Sequence, residues 1–177
     1  MTINTSVRKF RWFWAWQDEQ EEAWLGEMSR QGLHLSRVGA PGNYYFSPGE
    51  PRTCSYRLDY RNTHGNERED YLQLFGDAGW EHVWETAGWH YFRKESRSGE
   101  TEQIFTDTAS KVDKYRRLLL FLCIMIAPVL TGLTIQLKAD VLQPWMTGVS
   151  IFFMVVLAFF IFAMVRIGLR MRSLKKS

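Results

Sequence analysis

The chain of 177 residues carries 22 Lys and Arg against 19 Asp and Glu, a formal net charge of +3, but the charge is divided unevenly. Through Ser110 there are 12 basic against 17 acidic residues, a net of −5, and from Lys111 onward 10 against 2, a net of +8. The excess cations flank apolar runs, which argues for membrane lipid and against nucleic acid as a partner; two cysteines, Cys54 and Cys123, exclude a disulfide framework or a CxxC metal pair, and both are read as buried thiols.

Residues 1–20 contain no apolar core followed by a small-residue cleavage site, so no cleaved signal peptide is expected. Phe10, Trp12, Trp14 and Trp16 alternate with Arg11, Phe13 and Ala15, which predicts a strand with one buried face. A short amphipathic helix follows, with Trp24, Leu25 and Met28 on its apolar side. Asp18 with Glu21 is the expected cap pair, and Gly32 the left-handed residue that closes the helix. Two extended stretches, Leu33 to Val38 and Tyr44 to Ser47, surround the turn Ala-Pro-Gly-Asn.

The pattern then recurs. Cys54, Tyr56, Leu58 and Tyr60 alternate with Ser55, Arg57 and Asp59 as a strand, and Asn66 with Glu69 opens a helix that Gly79 closes. Extended stretches Trp80 to Trp84 and Trp89 to Lys94 surround Glu-Thr-Ala-Gly. An offset of 47 residues lays Trp24, Leu25, Met28 and Gly32 on Tyr71, Leu72, Phe75 and Gly79, and Tyr44 and Tyr45 on Tyr91 and Phe92. Residues 1–95 therefore read as an α+β domain, a duplicated strand-helix-strand-strand building a two-layer antiparallel sheet with helices on one face, followed by a two-helix transmembrane hairpin.

Residues 96–117 are expected to be a linker, with Ile104-Phe105 as a docking point, and a basic juxtamembrane helix starting near Thr108. Residues 118–137 and 145–165 are free of charge and long enough to cross the ~30 Å hydrocarbon layer, joined by the short extracytoplasmic loop 138–144. Lys111, Lys114, Arg116 and Arg117 precede the first span, and Arg166, Arg170 and Arg172, with Lys175 and Lys176, follow the second in the tail 166–177. The loop has only Lys138 opposed by Asp140, so both termini are expected in the cytoplasm and Trp145 at the interface. Neither span carries an ionisable residue, which disfavours a transporter or channel, and Pro128, Thr131, Gly132 and Thr134 mark a kink or close helix contact.

The four histidines, His34, His64, His82 and His90, lie in no HExxH and no paired ligand spacing, so neither a metal site nor another cofactor is expected. Strand alternation groups His82 with Trp80 and Trp84, and His90 with Phe92, as structural imidazoles. No GxSxG, Walker loop or GxGxxG is present, no catalytic residue stands out, and the chain is not read as an enzyme. Glu19, Glu21, Glu22, Glu67, Glu69 and Asp70 fall in first helical turns, where negative charge suits the helix dipole. Seven of eight tryptophans lie in the soluble part; Trp12, Trp14, Trp80, Trp84 and Trp89, with Asp59 and Glu81, are the candidate lining for a small amphipathic or cationic ligand. The favoured function is a membrane-tethered binding module for such a ligand or a protein partner. A scaffold that assembles with itself or a membrane complex, and an enzyme on lipid or drug-like substrates, are the rivals.

The stretches FRWFWAWQDEQEEAWLGEMSRQGLHL, GNYYFSPGEPRTCSYRLDYR, YLQLFGDAGWEHVWETAGWHYFRK and IFTDTASKVDKYRR resemble the bacterial domain-of-unknown-function family 2812, over about residues 8–117. Leu33 stands where members commonly carry Trp. The resemblance implies a protein anchored in the bacterial inner membrane, its gene often beside PadR-type transcriptional regulators, and supplies no reaction or active site. The element order is also similar to the GyrI-like and SOUL-type folds, which bind small amphipathic ligands between their repeats, although fold does not fix function.

Overall fold

In the computed structural model the chain runs β1 (Val7–Phe10), α1 (Asp18–Arg30), β2 (Leu33–Gly39), β3 (Asn43–Pro48), β4 (Cys54–Tyr60), α2 (Asn66–Asp77), β5 (Glu81–Thr86), β6 (Trp89–Glu95), α3 (Thr108–Lys138) and α4 (Pro144–Lys176). The structure describes residues 6–95, 108–138 and 144–176. Two compact units divide the chain, Met1–Thr106 and Asp107–Ser177.

The first unit is mixed α+β. Its strands form two three-stranded antiparallel sheets, ordered β1-β3-β2 and β4-β6-β5, so each half runs strand-helix-strand-strand and places its last strand in the middle. The halves share two irregularities at the 47-residue offset. Gly32 and Gly79 both take left-handed backbone, with φ of +77° and +79°, directly after their helices. Register slips between Leu35 and Arg37 on β2 and between His82 and Trp84 on β5. Such a bulge adds one residue and reverses which face the following side chains take.

Helix α1 joins the two sheets. Leu25 and Met28 share one core with Leu35 and Phe46 of the first sheet and Leu58 and Tyr91 of the second. Burying side chains of this size contributes about 2 kcal/mol each. Among the described residues strand β4 pairs only with β6, and α1 covers its other edge: the Leu58 N–H donates to Glu22 Oε1 at 2.7 Å. The approach is close because a Cβ on Gly26 would lie 3.2 Å from the Cys54 carbonyl oxygen. Helix α2 instead covers a smaller cluster of Tyr71, Trp80 and Phe92, with Phe75 stacked on Phe92 at 3.9 Å.

Four expectations are corrected. The first strand is Val7–Phe10 rather than Phe10 to Trp16, because the ladder ends after the Arg11 N–H reaches the Gly42 carbonyl and a turn closes from Trp14 to Gln17. Facing is also inverted there: Phe13 packs on the core, whereas Trp12 and Trp14 are exposed. The cap pairs do not form; the residues before the helices are Gln17 and Gly65, neither capping through a side chain, and Asp18 and Asn66 already lie inside. Of the thiols, Cys54 is buried and Cys123 exposed.

The second unit consists of α3 and α4. Spans Lys111–Ile135 and Thr147–Leu174 are long and apolar enough to cross a membrane, and only 6% of each apolar window is buried. Phe152, Val155, Phe159 and Phe162 therefore stand exposed along α4, a surface that lipid accommodates and water does not. The close helix contact expected near Pro128 is present: a Cβ on Gly132 would lie 2.9 Å from the Phe153 ring. Thr131 Oγ1 donates to the Ala127 carbonyl at 3.0 Å beside Pro128, which stays inside the helix. Asp140, the Ile104-Phe105 pair and the Trp145 side chain lie outside the described residues.

Candidate binding cleft

The carboxylates beneath the first unit's cleft are placed by helix periodicity. Asp18, Glu21, Leu25 and Met28 recur at intervals of three and four, which makes one stripe of α1, and all four are buried. Two acids thus sit on the core-facing side. Glu21 Oε1 accepts the Tyr44 hydroxyl at 2.7 Å and the Tyr91 hydroxyl at 2.9 Å, one tyrosine from each sheet. Burial first, then the Glu21 charge, pushes both phenols well above the ordinary tyrosine range. They remain protonated donors, and a buried carboxylate keeps the partners it requires.

Above this floor lies a cleft of about 350 Å³, between the β2–β3 turn at Pro41, the β5–β6 turn at Ala87 and the segment 12–15. Its walls are aromatic. Trp12 and Trp14 meet edge to face at 5.5 Å, and Trp14 stacks on Trp16 at 5.4 Å and 3°. Trp89 lines the other side, its ring 5.3 Å from Tyr60. Below, Phe13 packs 5.7 Å from Trp24, and the Arg11 guanidinium lies 5.1 Å from the Phe13 ring. Flat apolar walls over buried acids suit an organic cation with an apolar body.

Trp12, Trp14 and Trp89 are thus brought together, and the other candidates are placed elsewhere. Trp80 is buried with Tyr71 and Phe92, and Trp84 packs against the main core. Asp59 is buried and accepts the Tyr71 hydroxyl at 2.8 Å. Glu81 pairs with Arg93 at 2.7 Å. Sequence reasoning missed Asp18 and Glu21, which it gave to the helix cap and, for Glu21, also to the helix dipole, and Tyr44 and Tyr91. The signal was present in the stripe itself, where two acids continue the Leu25 and Met28 positions.

A second cluster lies on the opposite face of β5 and β6. Residues 82 and 85 would face opposite ways on a regular strand, but the bulge between His82 and Trp84 brings them to the same side. His82 is therefore separated from Trp84 and meets His90, which is fully buried, with His90 Nδ1 and His82 Nε2 at 3.4 Å. Glu85, directly opposite His90 in the register, places Oε2 at 3.7 Å from the same Nδ1, and Arg68 Nε donates to Glu85 Oε2 at 3.0 Å. Burial and the neighbouring His90 hold His82 below the ordinary histidine range.

No curated protein and no solved structure matches the chain, so the likeness to GyrI-like and SOUL-type folds stays at element order. A family model described as a protein of unknown function, DUF2812, matches residues 17–127. That match covers more than half of the sequence, from the turn before α1 into α3, and the chain belongs to the DUF2812 family.

Proposed function

We propose that this protein is a membrane-anchored, non-enzymatic binding module that takes a small amphipathic cation into the cleft between its two βαββ halves. The observation that carries it is the open space of about 350 Å³ whose walls include Trp12, Trp14 and Trp89 and whose floor includes the buried Asp18 and Glu21. Aromatic faces attract a cation through the ring quadrupole, and acids beneath them add long-range attraction poorly screened by water. In this reading α3 and α4 cross the bacterial inner membrane with both termini in the cytoplasm, the flanking cations meeting anionic lipid at about 1 kcal/mol each.

The test is calorimetric titration of the full-length chain in detergent with tetraphenylphosphonium. Saturable binding is expected, weakened at least tenfold by Trp14→Ala or Trp89→Ala and left unchanged by Glu81→Gln. Equal affinity for an uncharged analogue of the same shape would remove the cation from the proposal, and no saturable heat would remove the ligand. For the membrane reading, a reporter fused after Ser177 should be active only in the cytoplasm; periplasmic activity would overturn the orientation.

A further inference from the structure

We infer that His82, Glu85 and His90 form a binding site for Zn²⁺ or a closely similar transition-metal cation, on the face of β5 and β6 away from the cleft. Each contributes one donor atom, and all three donors lie within 4.8 Å of one another. Two imidazoles and one carboxylate with a fourth position left open is a recognised three-ligand zinc set.

The geometry argues the case further. The Arg61 carbonyl can only accept, so His90 Nε2, 2.9 Å from it, carries the ring proton. In the neutral ring Nδ1 is then a bare lone pair, and it points at His82 Nε2 and Glu85 Oε2. A ligating histidine whose other N–H is held by a backbone carbonyl is the usual arrangement around a bound metal. The His82–His90 separation of 3.4 Å is long for an N–H···N hydrogen bond. It is close to the ~3.3 Å that separates two nitrogens each ~2.05 Å from a tetrahedral zinc. Glu85 Oε2 lies 3.7 Å from His90 Nδ1, a few tenths of an ångström beyond that separation, and within 4.8 Å of the other donor.

The surroundings fit a loaded site. Arg68 orients Glu85 through Oε2, and Phe92 packs 5.3 Å from the His82 ring and Tyr71 5.0 Å from the His90 ring, so the donors are held on a rigid sheet. Glu85 keeps 31% of its side chain exposed, which leaves an entry path for the ion. Two imidazole nitrogens among the three donors favour Zn²⁺ over Mg²⁺ or Ca²⁺, which take oxygen ligands.

The experiment uses the full-length chain in detergent, stripped with chelator and titrated with Zn²⁺ in competition with a chromophoric chelator, and in parallel with Co²⁺. One Zn²⁺ per chain is expected, with at least a tenfold loss of affinity in His82→Ala and in Glu85→Gln and no change in His34→Ala. Co²⁺ should give the intense visible bands of a tetrahedral site in wild type and not in His82→Ala. His82 and Glu85 are half-buried, and circular dichroism checks that both variants keep the fold. Zn²⁺ binding equal in wild type, His82→Ala and Glu85→Gln would overturn the site, as would Co²⁺ spectra of octahedral weakness in the wild type.

Discussion

The two βαββ halves share strand order, bulge position and left-handed glycine, yet they fill the same positions with opposite chemistry. At the 47-residue offset, Leu35, Val38 and Asn43 of the first half correspond to His82, Glu85 and His90 of the second. Leu35 and Val38 are buried in the main core, whereas the later trio forms a polar cluster with Arg68. The comparison teaches that the bulge supplies a geometry, two neighbouring side chains on one face, and that residue chemistry decides whether it becomes packing or a donor set. The helices differ in the same way: Glu21 of α1 binds tyrosines from both sheets, whereas the Tyr71 hydroxyl of α2 donates within its own half, to Asp59.

Exchange of the corresponding residues gives the largest expected effect. Leu35→His places an imidazole where the side chain is 2% exposed, losing packing and leaving a polar group unpaired, a cost of about 4 kcal/mol. The reverse change, His82→Leu, should stay within about 1 kcal/mol because its site is half-buried. Thermal unfolding of the two variants measures the asymmetry, and equal losses would end the distinction drawn between the halves.

The carboxylates come next. Glu21→Ala leaves two buried tyrosine hydroxyls without this acceptor and should cost about 3 kcal/mol, while Asp59→Ala removes the acceptor of one and should cost about half as much. Chemical denaturation followed by near-ultraviolet circular dichroism ranks them, and a larger loss at Asp59 would show that the second half depends more on its acid. The glycine pair is close in size. A Cβ on Gly32 would stand 2.5 Å from the Gly49 carbonyl oxygen, but on Gly79 it would meet only the flexible Lys94 side chain at 3.5 Å. Gly32→Ala should therefore destabilise by about 3 kcal/mol and Gly79→Ala by about 1 kcal/mol, the second figure being left-handed strain alone.

The smallest effect is a pH dependence. Tyr44 and Tyr91 have folded-state pKa values raised above their ordinary 10.0, so their protonated forms contribute stability that is complete below about pH 10 and is lost as pH rises beyond it. The unfolding midpoint should fall above about pH 10, and less steeply in Tyr44→Phe. An unchanged slope in that variant would show that Glu21 does not hold the hydroxyl in this state.

Much of the fold was legible locally. Strand-helix-strand-strand order followed from alternation, from the Trp24, Leu25 and Met28 stripe and from glycines at 32 and 79, all of which depend on neighbouring residues. The cleft was half legible: Trp12, Trp14 and Trp89 were named, but Trp80 and Trp84 were grouped with them because a run of aromatics does not reveal which ring faces the core. Alternation grouped His82 with both Trp80 and Trp84, and only Trp84 parts from it, since a bulge is a property of two paired strands and leaves no sign in one of them.

By itself the amino-acid sequence determined the division of charge, the two apolar helices, the βαββ order and the family, because each is written in composition or in short-range periodicity. Tertiary structure alone decided that α1 joins both sheets, that Glu21 meets Tyr44 and Tyr91, and that His82, Glu85 and His90 converge. Those contacts link residues separated by up to 70 positions or depend on a one-residue slip, and their direction is set by how strands pair rather than by what any single strand contains.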